Sequence, residues 1–276
     1  MFSLLRTPAA LAALPALIAM PAAAAQAPAV GDQEFPCVIE AQQTVKLASS
    51  ALGVIAELNV DRGDLVHKGE MLGKLDDRVE AANVALAAAK ASNDHDILAA
   101  QARVAFLRRK YARAAELAPS RIVSLNTTEE AESDMKVAEQ QLYTAQLNLQ
   151  IAALDKRQAE ELLNQRHFES PIDGVVVERL LQPGEYRNDQ SPILTLAQID
   201  PLRVEVFVPT TFYGQLRTGS GATVHPEDPI GGSYRATVTV VDRVLDAASG
   251  TFGVRLALPN PDLTLPAGLK CRIRFE

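Results

Sequence analysis

Tryptophan is absent from this 276-residue chain, and aromatic residues together make up only 5% of it. Compact cores draw much of their buried surface from aromatic rings. So few rings point to a chain stabilised largely by helices rich in Ala, Leu, Gln and Glu. A basic excess is also missing. The formal net charge is −7, which gives no sign of the basic face a nucleic-acid binder shows and weakly repels anionic lipid. Methionine is scarce, at 4 residues, so there is no Met-rich copper tract. The four histidines, His67, His95, His167 and His225, have no ligand-like spacing to one another or to the two cysteines. Neither a metal site nor a cofactor is expected. No Ser-His-Asp or Cys-His order stands in a recognisable context. The acidic pairs Asp76–Asp77, Glu129–Glu130 and Glu160–Glu161 fall at helix ends or on solvated faces, where carboxylates in a first turn complement the helix dipole. A non-enzymatic protein is the expectation.

No segment beyond the N-terminus is apolar and long enough to span a bilayer. The N-terminus itself reads as a targeting signal: Arg6, an apolar stretch from about Pro8 to Met20, then small residues at Ala22–Ala25. That stretch falls short of the roughly 20 residues a spanning helix needs. Cleavage after Ala25 and export to the periplasm are expected. Cys37 lies too far beyond the apolar run for a lipid anchor. The two cysteines, Cys37 and Cys271, sit near opposite ends of the mature chain. In an oxidising compartment they pair if both ends meet in one domain; two buried free thiols are the alternative.

What the chain does have is a repeat. "SALGVIAELNVDRGD" (50–64) and "SPIDGVVVERLLQPGE" (170–185) align Gly53 with Gly174, Val54 with Val175, Glu57 with Glu178 and Gly63 with Gly184. The halves 47–76 and 168–199 each hold about four short strands, too few to bury a core alone. They are expected to fold against each other, with the four glycines marking the turns.

Between the halves lie two stretches without Gly or Pro, about Asp77–Ala118 and Thr127–Arg166, joined through "APSRIVSLNTTEE". They predict two long helices in an antiparallel hairpin, with Asn126, Thr127 or Thr128 capping the second. The second carries a heptad stripe of Met135, Leu142, Leu149 and Leu163, with Lys156 in one slot, beside Ala131, Ala138, Ala145, Ala152 and Ala159. Val84, Ala91, Leu98, Ala105 and Ala112 are the corresponding series on the first, read as one continuous helix. Each arm would be about 60 Å long at 1.5 Å per residue.

Beyond about Ile199 the segments "LRVEVFVP", "YRATVTVVDRV", "TFGVRLALP" and "GLKCRIRFE" alternate or run apolar over strand lengths, separated by turn signals. They predict a small antiparallel barrel or sandwich. The expected fold is therefore α+β, elongated and modular. Its parts are a signal peptide (1–25), a leader and N-terminal strand joining the barrel (26–46), a first half-domain (47–76), a hairpin (77–166), a second half-domain (167–199) and a β-barrel (200–276).

Two Gly-framed half-motifs split by a helical hairpin, "GVIAELNVDRGDLVHKGEMLGKLDD" and "SPIDGVVVERLLQPGEY", resemble the lipoyl-like domain of periplasmic adaptors. These are the membrane fusion proteins of the HlyD-like, RND-type efflux kind. "IDPLRVEVFVP" and "NPDLTLPAGLKCRIRF" resemble that family's barrel. The resemblance implies a short form, ending where many such adaptors continue into a membrane-proximal domain. It implies partners as well: an inner-membrane RND or ABC transporter, an outer-membrane TolC-type channel, and further copies of the chain in a ring, hexameric in the family pattern. At the turn of the hairpin, Arg113, Leu117 and Ser124 match the family's Arg-x3-Leu-x6-Ser duct-docking pattern. A true lipoyl carrier is excluded, because the turn that would present its lysine is replaced by the hairpin. A coiled-coil scaffold of the envelope without a transport role is the alternative.

Overall fold

The computed structural model describes residues 30–120 and 124–276. The expected signal peptide lies outside the described residues. In chain order the elements are β1 (Glu34–Leu47), β2 (Gly53–Leu58), β3 (Leu65–Val66), β4 (Met71–Leu75), α1 (Arg78–Ala91), α2 (His95–Leu117), α3 (Leu125–Asn164), β5 (His167–Glu169), β6 (Gly174–Arg179), β7 (Tyr186–Arg187), β8 (Leu194–Pro209), β9 (Gly221–Pro226), β10 (Tyr234–Val241), β11 (Thr251–Leu258) and β12 (Leu269–Phe275).

The two half-motifs form one sandwich by exchanging strands. One sheet runs β5-β4-β2-β7; the other takes the start of β8 with β6 and β3. Contacts made by the first half recur in the second at one constant offset. Gly53 and Val54 of β2 pair with Arg187 and Tyr186 of β7; Gly174 and Val175 of β6 pair with Val66 and Leu65 of β3. Gly184 N donates to Ile55 O at 2.8 Å, and Gly63 N donates to Val176 O at 2.8 Å. Both β2–β4 and β6–β8 carry an irregularity at the same place, Ile55/Glu57 and Val176/Glu178. The core draws on both halves: Ile55, Val66, Leu72 and Leu75 pack with Phe168, Val176, Leu194 and Leu196. Neither half has a partner for its apolar face without the other, so the domain exists only once the hairpin has returned the chain.

The four glycines do not all mark turns. Gly63 and Gly184 do, with φ of +94° and +91° and open space where a side chain would be; their cost on substitution is conformational. Gly53 and Gly174 instead begin strands β2 and β6. A Cβ on Gly174 would run into the carbonyl of Ala197, and one on Gly53 would lie 2.8 Å from Arg166 Nη1. Gly174→Ala is expected to destabilise the sandwich by about 1–3 kcal/mol through overpacking, read as a lowered thermal midpoint. Gly63→Ala, a strained but uncrowded change, is expected to cost less.

The C-terminal region is a closed six-stranded antiparallel barrel, β1-β12-β9-β10-β11-β8, with β8 pairing back onto β1. Closure removes the exposed edges that an open sheet would present. Inward residues alternate along each strand, as in Phe35, Cys37 and Ile39 of β1 and Leu202, Val204, Val206 and Val208 of β8. Phe35 meets Phe212 edge-on at 5.7 Å. Cys37 and Cys271 stand directly opposite each other on β1 and β12 and are joined by a disulfide.

The sequence assigns the N-terminal strand to the barrel alone. In the structure β1 serves both modules. Its first part pairs with β8 in the barrel, from Cys37↔Val206 to Ala41↔Leu202; after an irregularity it pairs in the sandwich, from Gln43↔Gln198 to Leu47↔Leu194. Strand pairing that runs unbroken on either side of one irregularity couples the two modules through main-chain hydrogen bonds.

Candidate docking site on the helical hairpin

The hairpin is positioned by its root. Arg166, just past α3, donates from Nη2 to Glu80 Oε1 of α1 at 2.6 Å and from Nη1 to Leu52 O at 2.6 Å. A planar guanidinium satisfied on two sides by a carboxylate and a carbonyl ties the outgoing arm, the returning arm and the sandwich together. Ser49 Oγ donates to Gln165 O at 2.9 Å, and Leu75 N donates to Arg166 O at 2.8 Å. Beside this, His167 Nε2 and Asp77 Oδ2 lie 3.2 Å apart, with Lys74 Nζ 3.7 Å from the same carboxylate oxygen. The His167 hydrogen bond holds the Asp77 carboxyl below the usual carboxylate range, and the Lys74 charge adds to it. Arg78 does the same to Asp76, down to about 2. Sequence reading missed this root, since Arg166, Glu80 and Leu52 are far apart in the chain and carry no motif.

A depressed folded-state pKa stabilises above the unfolded value of about 3.9 and loses that contribution as pH falls through the folded value. The root contacts are therefore expected to support the hairpin at neutral pH and to weaken as the pH drops below about 4. Asp77→Asn should lower the melting temperature at pH 7. The gap to the wild type should close on acidification, as followed by circular dichroism.

Above the root, α3 packs along both α1 and α2. The 40 residues of α3 make it about 60 Å long. The arms run antiparallel: Arg108 pairs with Glu139 at 2.7 Å, and Lys110, further along α2, pairs with Asp134, earlier on α3, at 3.0 Å. The expected seam on α3 is the one observed. Ala131 and Ala138 are buried, and Met135 and Leu142 pack against the Val104–Leu107–Ala138 cluster.

The first arm departs from expectation. It is broken at Ser92-Asn93-Asp94, between α1 and α2. Ser92 Oγ donates back to Ala89 O at 3.1 Å, and Asn93 Oδ1 accepts from His95 N at 3.2 Å. Short polar side chains offer the backbone these local alternatives to helix, and three in a row suffice to interrupt it. The break shifts the seam by one position. Val84 and Ala91 keep their partly buried places in α1, but in α2 Val104 is buried while Leu98 and Ala105 face out, as does Ala112. A heptad count carried across the interruption therefore fails.

At the far end, Arg113 and Leu117 lie on the last turns of α2 and are exposed, Leu117 at 40%. Ser124 is the N-cap of α3, displacing Asn126, Thr127 and Thr128 from that role; its Oγ accepts from Thr127 N at 3.2 Å. Leu125, which sequence reading passed over, is exposed at 70%. Among the described residues the site thus offers the Arg113 guanidinium, the exposed Leu117 and Leu125, and a capped helix start, a set suited to contacting another protein. Among the described residues no three His, Cys, Asp or Glu side chains gather as metal ligands, and no helix is long and apolar enough to cross a membrane.

A family model described as the CzcB-like barrel-sandwich hybrid domain matches residues 43–198, more than half of the chain. The chain belongs to this family. A second model, the CusB-like β-barrel domain, matches residues 202–276 of this barrel-sandwich hybrid protein. Both are modules of membrane fusion proteins, the class its sequence resembles. A Haemophilus influenzae protein of uncharacterised role is 24% identical over 239 residues, covering 86% of this chain and 56% of its own length. The cobalt-zinc-cadmium resistance protein CzcB of Cupriavidus metallidurans is 24% identical over 245 residues, covering 86% of this chain and 43% of its own. This chain thus spans about half the length of these two relatives. The crystal structure of MacA from Actinobacillus actinomycetemcomitans superposes with a TM-score of 0.74 at 21% identity, covering 88% of this chain and 78% of that one. The hybrid fold is shared between them.

Proposed function

We propose that this barrel-sandwich hybrid protein is the non-enzymatic periplasmic adaptor of a tripartite efflux or export system. It couples an inner-membrane transporter, of RND or ABC type, to an outer-membrane TolC-type duct. The observation that carries the reading is the exposed set of Arg113, Leu117 and Ser124 at the far end of a long two-arm hairpin whose root is fixed by Arg166. A single hairpin buries little along its narrow seam. On α3, Val137, Leu147, Ile151 and Leu154 remain 43–61% exposed, and by helical periodicity they point away from the Ala131–Ala138 seam. Such a stripe favours lateral packing of hairpins, and in the proposed assembly the copies form a ring, hexameric as in the family pattern.

The test is site-specific photo-crosslinking in cells from Asn126, an exposed tip position. A crosslink to an outer-membrane duct, together with loss of efflux on deletion, is the expected result. Absence of any duct adduct, with export unchanged in the deletion strain, would sink the adaptor reading and leave the envelope scaffold.

A further inference from the structure

Ser124 stands in the docking pattern as a contact residue, yet the structure gives its hydroxyl another occupation. Its backbone has φ −70° and ψ 152°, and its Oγ accepts from Thr127 N. The same oxygen shares a second hydrogen bond, 2.8 Å long, with Thr127 Oγ1, while Thr128 Oγ1 donates to Ser124 O at 3.4 Å. A hydroxyl has one hydrogen and two acceptor positions, and two of these three are engaged by the serine's own helix. The neighbouring leucine, by contrast, is bare. Leu125, the first residue of α3, is 70% exposed, the most exposed of the hairpin's large apolar side chains among the described residues. Capping fixes where α3 starts, and so fixes the direction in which this first leucine projects. Leu117, 40% exposed, ends α2 on the other arm, so among the described residues each arm carries an exposed leucine toward the tip.

We propose that Ser124 is a positioning residue, and that Leu125, which it holds in place, makes the apolar contact with the α-helical end of the outer-membrane duct alongside Leu117. This rests on the adaptor reading and changes its chemistry. Binding at the tip comes from two leucines presented at the ends of two helices. The serine is required for its capping ability and tolerates any residue that caps as well.

The experiment measures affinity of the full mature chain for the detergent-solubilised TolC-type duct of its own cell, with hydrogen exchange at Thr127 N–H followed in parallel. Ser124→Asp and Ser124→Asn, whose side chains cap as well as serine, are expected to bind within about threefold of the wild type. Ser124→Ala should lose about fivefold in affinity, with faster exchange at Thr127 that the Asp variant restores. Leu125→Ala should lose about thirtyfold with Thr127 exchange unchanged. Loss of binding in Ser124→Asp equal to that in Ser124→Ala would return the serine to a contact role and overturn the proposal, as would unchanged binding by Leu125→Ala. Failure of the adaptor reading looks different: the wild type itself does not bind the duct, or Leu117→Asp binds as well as the wild type.

Discussion

Leu117→Asp is expected to lower affinity for the duct by more than about thirtyfold, the loss of a hot-spot contact, and to abolish efflux while leaving the fold intact. Leu117 closes α2 and is 40% exposed. It stands apart from the Val104–Leu107–Ala138 cluster, which is the buried core of the seam. At the proposed interface the carboxylate would have to shed its water where the wild type presents an apolar side chain, which is costly, and a pair with Arg113, four residues earlier on α2, would draw that guanidinium away from the duct. Its effect on the hairpin itself is small. A negative charge at a helix C-terminus opposes the dipole by about 0.3–1 kcal/mol at an exposed site, a minor loss to a chain whose two β-cores do not touch this end. Arg113→Asp should act alike through charge reversal. The decisive comparison sets duct affinity against the thermal midpoint: affinity falls, the midpoint holds. An efflux phenotype that survives both substitutions would show that the tip is only the solvated end of a helix pair.

How much of this was legible in the sequence depended on whether the signal was local or periodic. The repeat was legible because a split domain with internal symmetry needs the same residue types twice, and Gly63 and Gly184 occupy equivalent turns. The α3 seam was legible because one uninterrupted helix keeps its period over 40 residues. The α2 seam was not, because Ser92-Asn93-Asp94 resets the phase without any Gly or Pro to announce it. The roles of Gly53 and Gly174 were hidden for a different reason. Gly174 is required by close approach to the Ala197 backbone and Gly53 stands beside the Arg166 guanidinium; both neighbours are distant in sequence, and neither glycine sits in a local turn. At the candidate site, Arg113 and Leu117 were found by pattern. The capping function of Ser124 and the exposure of Leu125 emerge only from the backbone geometry at the start of α3.

The disulfide should account for the largest single stability change in the molecule. Cys37 and Cys271 are buried cross-strand neighbours with Cα atoms 4.9 Å apart, and the bond closes a sequence separation of 234 residues. It fastens the first barrel strand to the last, so the unfolded barrel is held at both ends. Chain-entropy reasoning puts a very long loop at about 5 kcal/mol. The effective loop is shorter here if the sandwich stays folded while the barrel opens, because β1 and β8 enter the sandwich together at Gln43↔Gln198. The dependence on loop length is only logarithmic, so about 4–4.5 kcal/mol remains. For a barrel of this size that corresponds to a fall of about 20–25 °C in its melting transition. The variant to use is Cys37→Ala with Cys271→Ala, since serines would bury two hydroxyls without partners. Calorimetry should show the transition that includes the barrel moving down; a shift of less than about 5 °C would remove the staple from the account. The same bond tests the proposed location. A chain lacking residues 1–25 would stay in a reducing compartment, where such bonds rarely persist. It should then carry two free thiols and melt like the double-alanine variant, whereas the exported chain should carry none.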